Sequence, residues 1–269
     1  MIVRQLALSD MNRILLIFLL ALLLAGCAAE AGDSLLVDAT ATTTPLPTPT
    51  IVWFPPSPTP PPTASVPQAA TPEQKPGVAA ISFTDDFSSP ELWNPASSDA
   101  GSAIVSDNHL TLAVPPGSYI FRVREALVVD DFYAELTAGP SLCKGLDEYG
   151  LLVRASAIAY YRLVLTCNGT LRLDRVSGNT RQILVPAISS GDVPTGTPAE
   201  VRMGVWAVGS DLRFFLNGRY QFSVNDRNYS SGSIGAFAHS VADTPVAVTF
   251  SDLTVYDVNY SPPAKTPQP

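Results

Sequence analysis

Histidine is nearly missing from this chain: only His109 and His239 occur in 269 residues. Imidazole is the commonest general base and metal ligand at neutral pH, so its scarcity narrows the chemistry available. Basic charge is scarce as well. Sixteen Lys and Arg face 24 Asp and Glu, for a net charge of −8 and a pI near 4.7. Phosphate backbones are bound by clustered Lys and Arg, so nucleic acid is excluded as a partner. Adhesion to anionic lipid through a basic patch is excluded on the same ground. No glycine-rich loop leads from a strand into a helix, which removes the nucleotide-binding motifs. The longest apolar run, Ile14 to Ala25, is too short for a transmembrane helix, which needs about 20 residues.

Proline, by contrast, is abundant and unevenly placed. Of 25 prolines, about a dozen fall between Pro45 and Pro76, and a few more close the chain from Pro262. Removing these stretches leaves one segment, 81–260, long enough for a single well-buried core and too short for two of that size. Residues 27–80 lack periodicity and are dominated by Thr, Pro, Ala and Ser. Such a stretch buries too little apolar area to offset chain entropy, so it is expected to be a disordered linker, with 261–269 a disordered tail. Its prolines favour extended polyproline conformations, at about 3 Å per residue.

The first 26 residues have the form of an export signal: Arg13, the apolar run, then small residues. Leu24-Ala25-Gly26-Cys27 resembles the lipobox of bacterial lipoproteins. That resemblance implies cleavage before Cys27, diacylation of its thiol, and a membrane partner bound through the lipid. The chain is then expected in the bacterial cell envelope, lipid-anchored and facing outside the cytoplasm. With Cys27 lipidated, Cys143 and Cys167 remain in an oxidising compartment, and a disulfide between them is the natural pairing.

From Ile81 onward the hydrophobic pattern has period two. Candidate strands are 109–114, 118–124, 132–138, 149–155, 160–166, 171–176, 181–184, 200–208, 211–216, 220–224, 233–238 and 247–256. Asn168-Gly169, Asn217-Gly218 and Gly209-Ser210 mark turns between consecutive strands, and Asn-Gly accepts the positive φ angles of a type I′ turn. A dozen short strands at this spacing predict an all-β antiparallel two-sheet sandwich or barrel.

The order of these motifs resembles a known superfamily. Phe83-Thr84-Asp85-Asp86-Phe87 with Trp93 comes first, followed by Tyr149-Gly150-Leu151-Leu152-Val153-Arg154 and Tyr161-Arg162-Leu163. The Phe214-Phe215-Leu216-Asn217-Gly218 hairpin, Gly232-Ser233-Ile234-Gly235 and the closing Phe250-Ser251-Asp252-Leu253-Thr254-Val255 complete the series. Together they resemble the concanavalin A-like lectins and glucanases, particularly laminin G-like bacterial members. The resemblance implies a jelly roll whose first and last strands pair and whose concave face is open to ligands. It also admits one structural calcium ion, for which Asp85, Asp86 and Asp252 supply the hard oxygen ligands.

No catalytic constellation stands out. Glucanases of this superfamily carry closely spaced carboxylates on one strand, whereas Glu135 stands alone and Asp147-Glu148 lies in a loop. A binding role is therefore expected rather than catalysis. Strand alternation puts Arg122 with Arg124, Tyr160 with Arg162, and Arg202 with Trp206 on shared faces, while Arg154 points away from Leu151 and Val153. If those faces coincide, the domain carries an arginine-and-aromatic platform suited to polysaccharide, especially acidic polymers. A structural or protein-interaction domain of the envelope, and a glycoside hydrolase-like enzyme, are the alternative readings.

Overall fold

The structure is a computed structural model that describes residues 73–261. The expected signal peptide, Cys27, the linker up to residue 72 and the tail from 262 lie outside the described residues.

Among the described residues fifteen strands form two antiparallel sheets packed face to face, an all-β jelly-roll sandwich. The larger sheet runs in the order β13 (Arg219–Asn225), β12 (Asp211–Leu216), β11 (Val201–Val208), β6 (Phe132–Leu142), β15 (Val246–Val258), β4 (His109–Val114), β3 (Gly101–Ser106) and β2 (Ala96–Ser98). Its ninth strand, β1 (Val78–Asp85), also pairs with β15. The smaller sheet runs β10 (Thr180–Ser189), β9 (Thr170–Ser177), β8 (Ala159–Thr166), β7 (Glu148–Ala155), β14 (Ser233–His239) and β5 (Tyr119–Val123).

Alternation decides which side chains fill the space between the sheets. In β4, Leu110, Leu112 and Val114 are buried while the residues between them are not, which is the pattern of a strand with one face on the core. Strands β7 and β8 are almost wholly buried, because their outward side chains are covered too.

Strand β15 ties the sandwich together. The first part of one edge pairs with β4, from Val246↔Val114 to Phe250↔Leu110. The later part pairs with β1, from Leu253↔Asp85 to Val258↔Val78. The first and last strands are thus adjacent, as the resemblance implied. The strand starts at Val78 rather than at the expected boundary of residue 81. Ala79 and Ala80 carry no period-two signal; they lie at a register irregularity between the pairs Val78↔Val258 and Ile81↔Tyr256, which hold the segment to the far end of the chain.

Turn chemistry follows the expectation at one hairpin and departs from it at another. Asn217 and Gly218 both take positive φ, 51° and 77°, as a type I′ turn requires. At the other Asn-Gly only Gly169 does, at φ 89°, and Asn168 instead makes a bridge to Thr195.

Cys143 and Cys167 are joined in a disulfide with their Cα atoms 5.8 Å apart, within the usual span of such a bridge. It links the loop after β6 to the end of β8 across 24 residues. Replacing both cysteines by serine is expected to lower unfolding stability by about 3 kcal/mol. Urea titration of the oxidised protein and the double variant measures that difference.

Candidate functional site

Alternation in the smaller sheet sends a second set of side chains outward. Strand β5 turns Ile120 to the core and presents Tyr119, Phe121 and Val123 on the outer face. Strand β14 adds Phe237, β7 adds Leu152, and β8 adds Tyr160 and Val164. The rings form one layer. Tyr119 lies 5.9 Å from Phe121 and 5.8 Å from Phe237, and Phe121 lies 5.7 Å from Tyr160. These spacings belong to tilted aromatic pairs. The phenol oxygens of Tyr119 and Tyr160 are 3.4 Å apart. Burial, reinforced by that contact, pushes the Tyr119 hydroxyl far above the ordinary phenol range, so it stays a neutral hydrogen-bonding group.

A row of charges continues across the same face. Arg162 Nη2 donates to Asp174 Oδ2 at 2.7 Å, and its guanidinium stacks over Phe237 at 5.1 Å. Arg172 Nε donates to both oxygens of Asp174 at 3.2 Å. Its Nη2 lies 2.7 Å from Glu148 Oε1, and His239 Nδ1 is 3.1 Å from Glu148 Oε2. Charges therefore alternate in sign along the row, as they must where water is excluded. Burial alone would raise the Glu148 carboxyl, but the His239 hydrogen bond and the Arg172 guanidinium outweigh it and hold it at about 2.

The sign of the pH effect follows. A carboxyl whose folded value is about 2 against an ordinary 4.5 stabilises the fold above pH 4.5, and that contribution fades as pH falls towards 2. Glu148→Gln is therefore expected to flatten the acid limb of the stability–pH curve, an effect of up to about 3 kcal/mol. Urea titrations between pH 2 and 6 test this. Parallel curves for the two proteins would remove Glu148 as its source.

Beside this layer, along the edge strand β5, lies an open groove of about 820 Å³. Tyr119 and Phe121 form its floor, with Arg122, Glu125, Asn94 and Ser156 among its polar lining. One side of the rim is Asn94, Pro95 and Ala96, which follow the short 3-10 turn Pro90–Trp93; Asn94 ends that turn in the left-handed conformation, φ 47°. That turn brings the Asn94 carbonyl to Arg122 Nε, 2.7 Å away. Arg122 Nη1 donates to the Phe121 carbonyl at 2.7 Å, and the Asn94 side-chain amide donates to Glu125. Tyr119, Phe121 and Arg122 remain half-exposed, and Asn94, Glu125 and Ser156 are exposed. The groove thus combines aromatic rings with oriented donors and acceptors, and the positive Arg122 is matched by the negative Glu125.

The residues expected to form one platform are dispersed. Tyr160 and Arg162 do share the outer face of the smaller sheet, where both are buried, at 6% and 7% exposure. Arg202 and Trp206 lie on the opposite side of the sandwich, on the outer face of the larger sheet. Arg202 is 3.6 Å from Glu135, and Trp206 is 0% exposed, so it presents no platform to a ligand. Arg122 and Arg124 share the core-side face of β5. Arg122 reaches over the edge to the groove, whereas Arg124 donates to Asp85 at 2.6 Å. Arg154 is enclosed, with its guanidinium donating to the carbonyls of Gly209, Tyr229 and Asp130 at 2.7–2.9 Å. Alternation within a strand assigned the face shared by each pair; it carried no information on which sheet holds that strand or what covers it.

The carboxylates nominated for calcium are not gathered either. Asp85 accepts from the Phe87 amide, Trp93 Nε1 and Arg124 Nε, which occupies both its oxygens. Asp86 accepts from the Ser88 amide, and Asp252 from the Ser251 hydroxyl. Among the described residues no group of three or more His, Cys, Asp or Glu is arranged to hold a metal ion.

Tyr119, Phe121, Phe237, Arg172 and Asp174 were not foreseen as site residues. The alternation Tyr119-x-Phe121 and Phe237-x-His239 was legible, but the pairing of β5 with β14 (Phe237↔Phe121, His239↔Tyr119) spans more than a hundred residues of chain.

No protein-family model matches the sequence, and neither does any curated protein. Solved structures do resemble the fold. A protein of unknown function with a galectin-like fold from Bacillus subtilis is 15% identical, with a TM-score of 0.50 over 68% of this chain and 99% of that one. A structure described with the endo-acting O-glycanases of the human gut microbiota is 10% identical, with a TM-score of 0.50 over 67% and 100%. A carbohydrate-binding module of Bacillus subtilis is 15% identical, with a TM-score of 0.49 over 61% and 98%. At these identities what the two structures with a TM-score of 0.50 share with this chain is the fold alone, an antiparallel two-sheet jelly roll.

Proposed function

We propose that the domain is a non-catalytic carbohydrate-binding module that takes its ligand in the groove beside β5. On this reading Cys27 anchors it by lipid outside the cytoplasm of a bacterial cell. The observation that carries the proposal is the groove itself: half-exposed Tyr119 and Phe121 form a floor bordered by Arg122, Glu125 and Asn94. Apolar sugar faces pack on aromatic rings, while guanidinium, carboxylate and amide groups bind hydroxyls. The groove is of the size range of small-ligand sites.

A hydrolytic reading is less well supported. A glycosidase needs one carboxylic acid that still holds its proton near neutrality. Glu148 is held ionised at about 2, and Asp174 is engaged by two guanidinium groups. The same pairing argues against a preference for acidic polymers. Arg162 and Arg172 are compensated by carboxylates, and Arg122 has Glu125 beside it, so an uncharged glycan fits the groove better.

Titration calorimetry of the protein with neutral and uronic polysaccharides tests the proposal. Phe121→Ala is expected to weaken binding of the preferred neutral glycan by roughly tenfold or more, the loss of a stacking contact of about 1.5 kcal/mol. Binding that survives Phe121→Ala and Tyr119→Ala unchanged would place the ligand elsewhere. No binding to any glycan would favour the envelope-interaction reading.

A further inference from the structure

The opposite side of the sandwich carries a second aromatic cluster, and a piece of the chain itself occupies it. Trp206, Tyr133 and Phe215 project from the outer face of the larger sheet, with Tyr256 and Tyr260 packed against them. Across them lies the segment 73–77, which belongs to neither sheet. Trp206 Nε1 donates to the Pro76 carbonyl at 3.0 Å. Arg213 Nη1 donates to the Gln74 carbonyl at 3.1 Å, while its guanidinium stacks on Trp206 at 4.4 Å. Lys75 Nζ donates to the Tyr133 hydroxyl at 3.2 Å and lies 4.6 Å from that ring and 5.2 Å from Phe215. The Asn259 amide closes the far end on the Gly77 carbonyl at 2.8 Å. Gly77 sits at φ 75°, and a Cβ there would run into the Asn259 backbone.

These contacts have the form of peptide recognition rather than core packing. The cluster reads main-chain carbonyls with an indole and a guanidinium, and one side chain with an aromatic cage. The segment bends through Gln74 and Lys75 into a turn at Pro76-Gly77, which presents its carbonyls to the cluster, and a lysine ammonium over two rings adds cation–π attraction. Residues 74–77 are half-buried and Glu73 is exposed, so the segment is held by a few separable contacts.

We propose that this face is a peptide-binding cleft for a bent segment with lysine before proline, occupied by residues 73–77 of the chain's own proline-rich stretch. The docked segment acts as a strap. It holds the start of the described chain against the outer face of the larger sheet. The proposal does not depend on the glycan reading, because it uses none of the groove residues.

Two measurements on the full-length protein test it. A Glu-specific endopeptidase is expected to cut the Glu73–Gln74 bond at least about tenfold more slowly in the protein than in a free peptide of residues 67–80, since a docked segment must open before it is cleaved. Equal rates would overturn the proposal without need of any variant. In the second measurement a labelled peptide, Thr71–Gly77, is titrated into the native protein and into Lys75→Ala/Pro76→Gly, which loosens the built-in strap. The strap competes at an effective concentration in the millimolar range, so the variant is expected to bind the peptide at least about tenfold more tightly. Adding Arg213→Ala should abolish that gain. A peptide with alanine in place of lysine that binds equally well would overturn the assigned specificity.

Discussion

Replacing Arg154 by methionine is expected to cost about 3–5 kcal/mol of unfolding stability, on the order of a 10 °C fall in Tm. The guanidinium is 1% exposed and donates to carbonyls from three separate loops, those of Asp130, Gly209 and Tyr229. Methionine keeps much of the volume but leaves three carbonyls facing an apolar chain, and each unmet acceptor costs about 1–3 kcal/mol unless water reaches it. Lysine cannot substitute, because a single ammonium does not span the fork that three separate acceptors require. Arg154 also sits at φ 49°, where side chains are rarely found. Urea denaturation reads the loss as a lower midpoint at unchanged slope. A loss below about 1 kcal/mol would mean that the loops re-pair without the guanidinium.

The second large effect is expected at Asp85. Its carboxylate joins the end of β1 to the 3-10 turn and to β5, accepting from the Phe87 amide at 2.8 Å, Trp93 Nε1 at 3.2 Å and Arg124 Nε at 2.6 Å. Asp85→Ala leaves a nearly buried guanidinium without its counter-charge and a buried indole without an acceptor. Breaking one side of such a pair typically costs about 3–5 kcal/mol. The turn it supports places Asn94 at the groove, so glycan affinity is expected to fall along with stability. Pairing the change with Arg124→Met should recover part of the stability, because the orphaned charge is gone. A double-mutant cycle measures that recovery. A purely additive double variant would show that Asp85 acts through Trp93 and the Phe87 amide alone.

Much of the fold was readable one element at a time. Strands 109–114 and 211–216 coincide with β4 and β12, because each alternates cleanly and ends at a turn residue. Strands β1, β2 and β3 were not foreseen as strands. Ala79-Ala80 and Ser97-Ser98 have little hydrophobic contrast; Ser97 and Ser98 are strand because β3 pairs with them, and Ala79-Ala80 because the flanking Val78 and Ile81 pair with β15. Strand β10 extends to Ser189 rather than ending at 184, carried by its pairing with β9 through two register shifts.

The candidate site was less legible, and the seven nominated residues show why. Period two tells which residues of a strand share a side. Tyr160 and Arg162 do, and so do Arg202 and Trp206, yet the two pairs lie on opposite outer faces of the sandwich. Strand order is set by contacts between residues far apart in the chain, and local alternation is blind to it. Burial is equally non-local. Trp206 faces outward from its sheet, and Pro76 and Tyr260, from the two ends of the described chain, together with Arg213 of β12, convert it from a surface ring into a covered one.

By itself, then, the sequence determined the all-β class, most strand positions, the Asn217-Gly218 turn and the cysteine pairing. Each of these depends on local periodicity, on backbone preference or on counting. Tertiary structure decided where β5 and β14 meet, which arginines are neutralised by carboxylates, and that Tyr119 and Phe121 rather than Trp206 border an open groove. Those outcomes are set by which strands become neighbours and by what lies across each face, and both follow from the packing of distant segments.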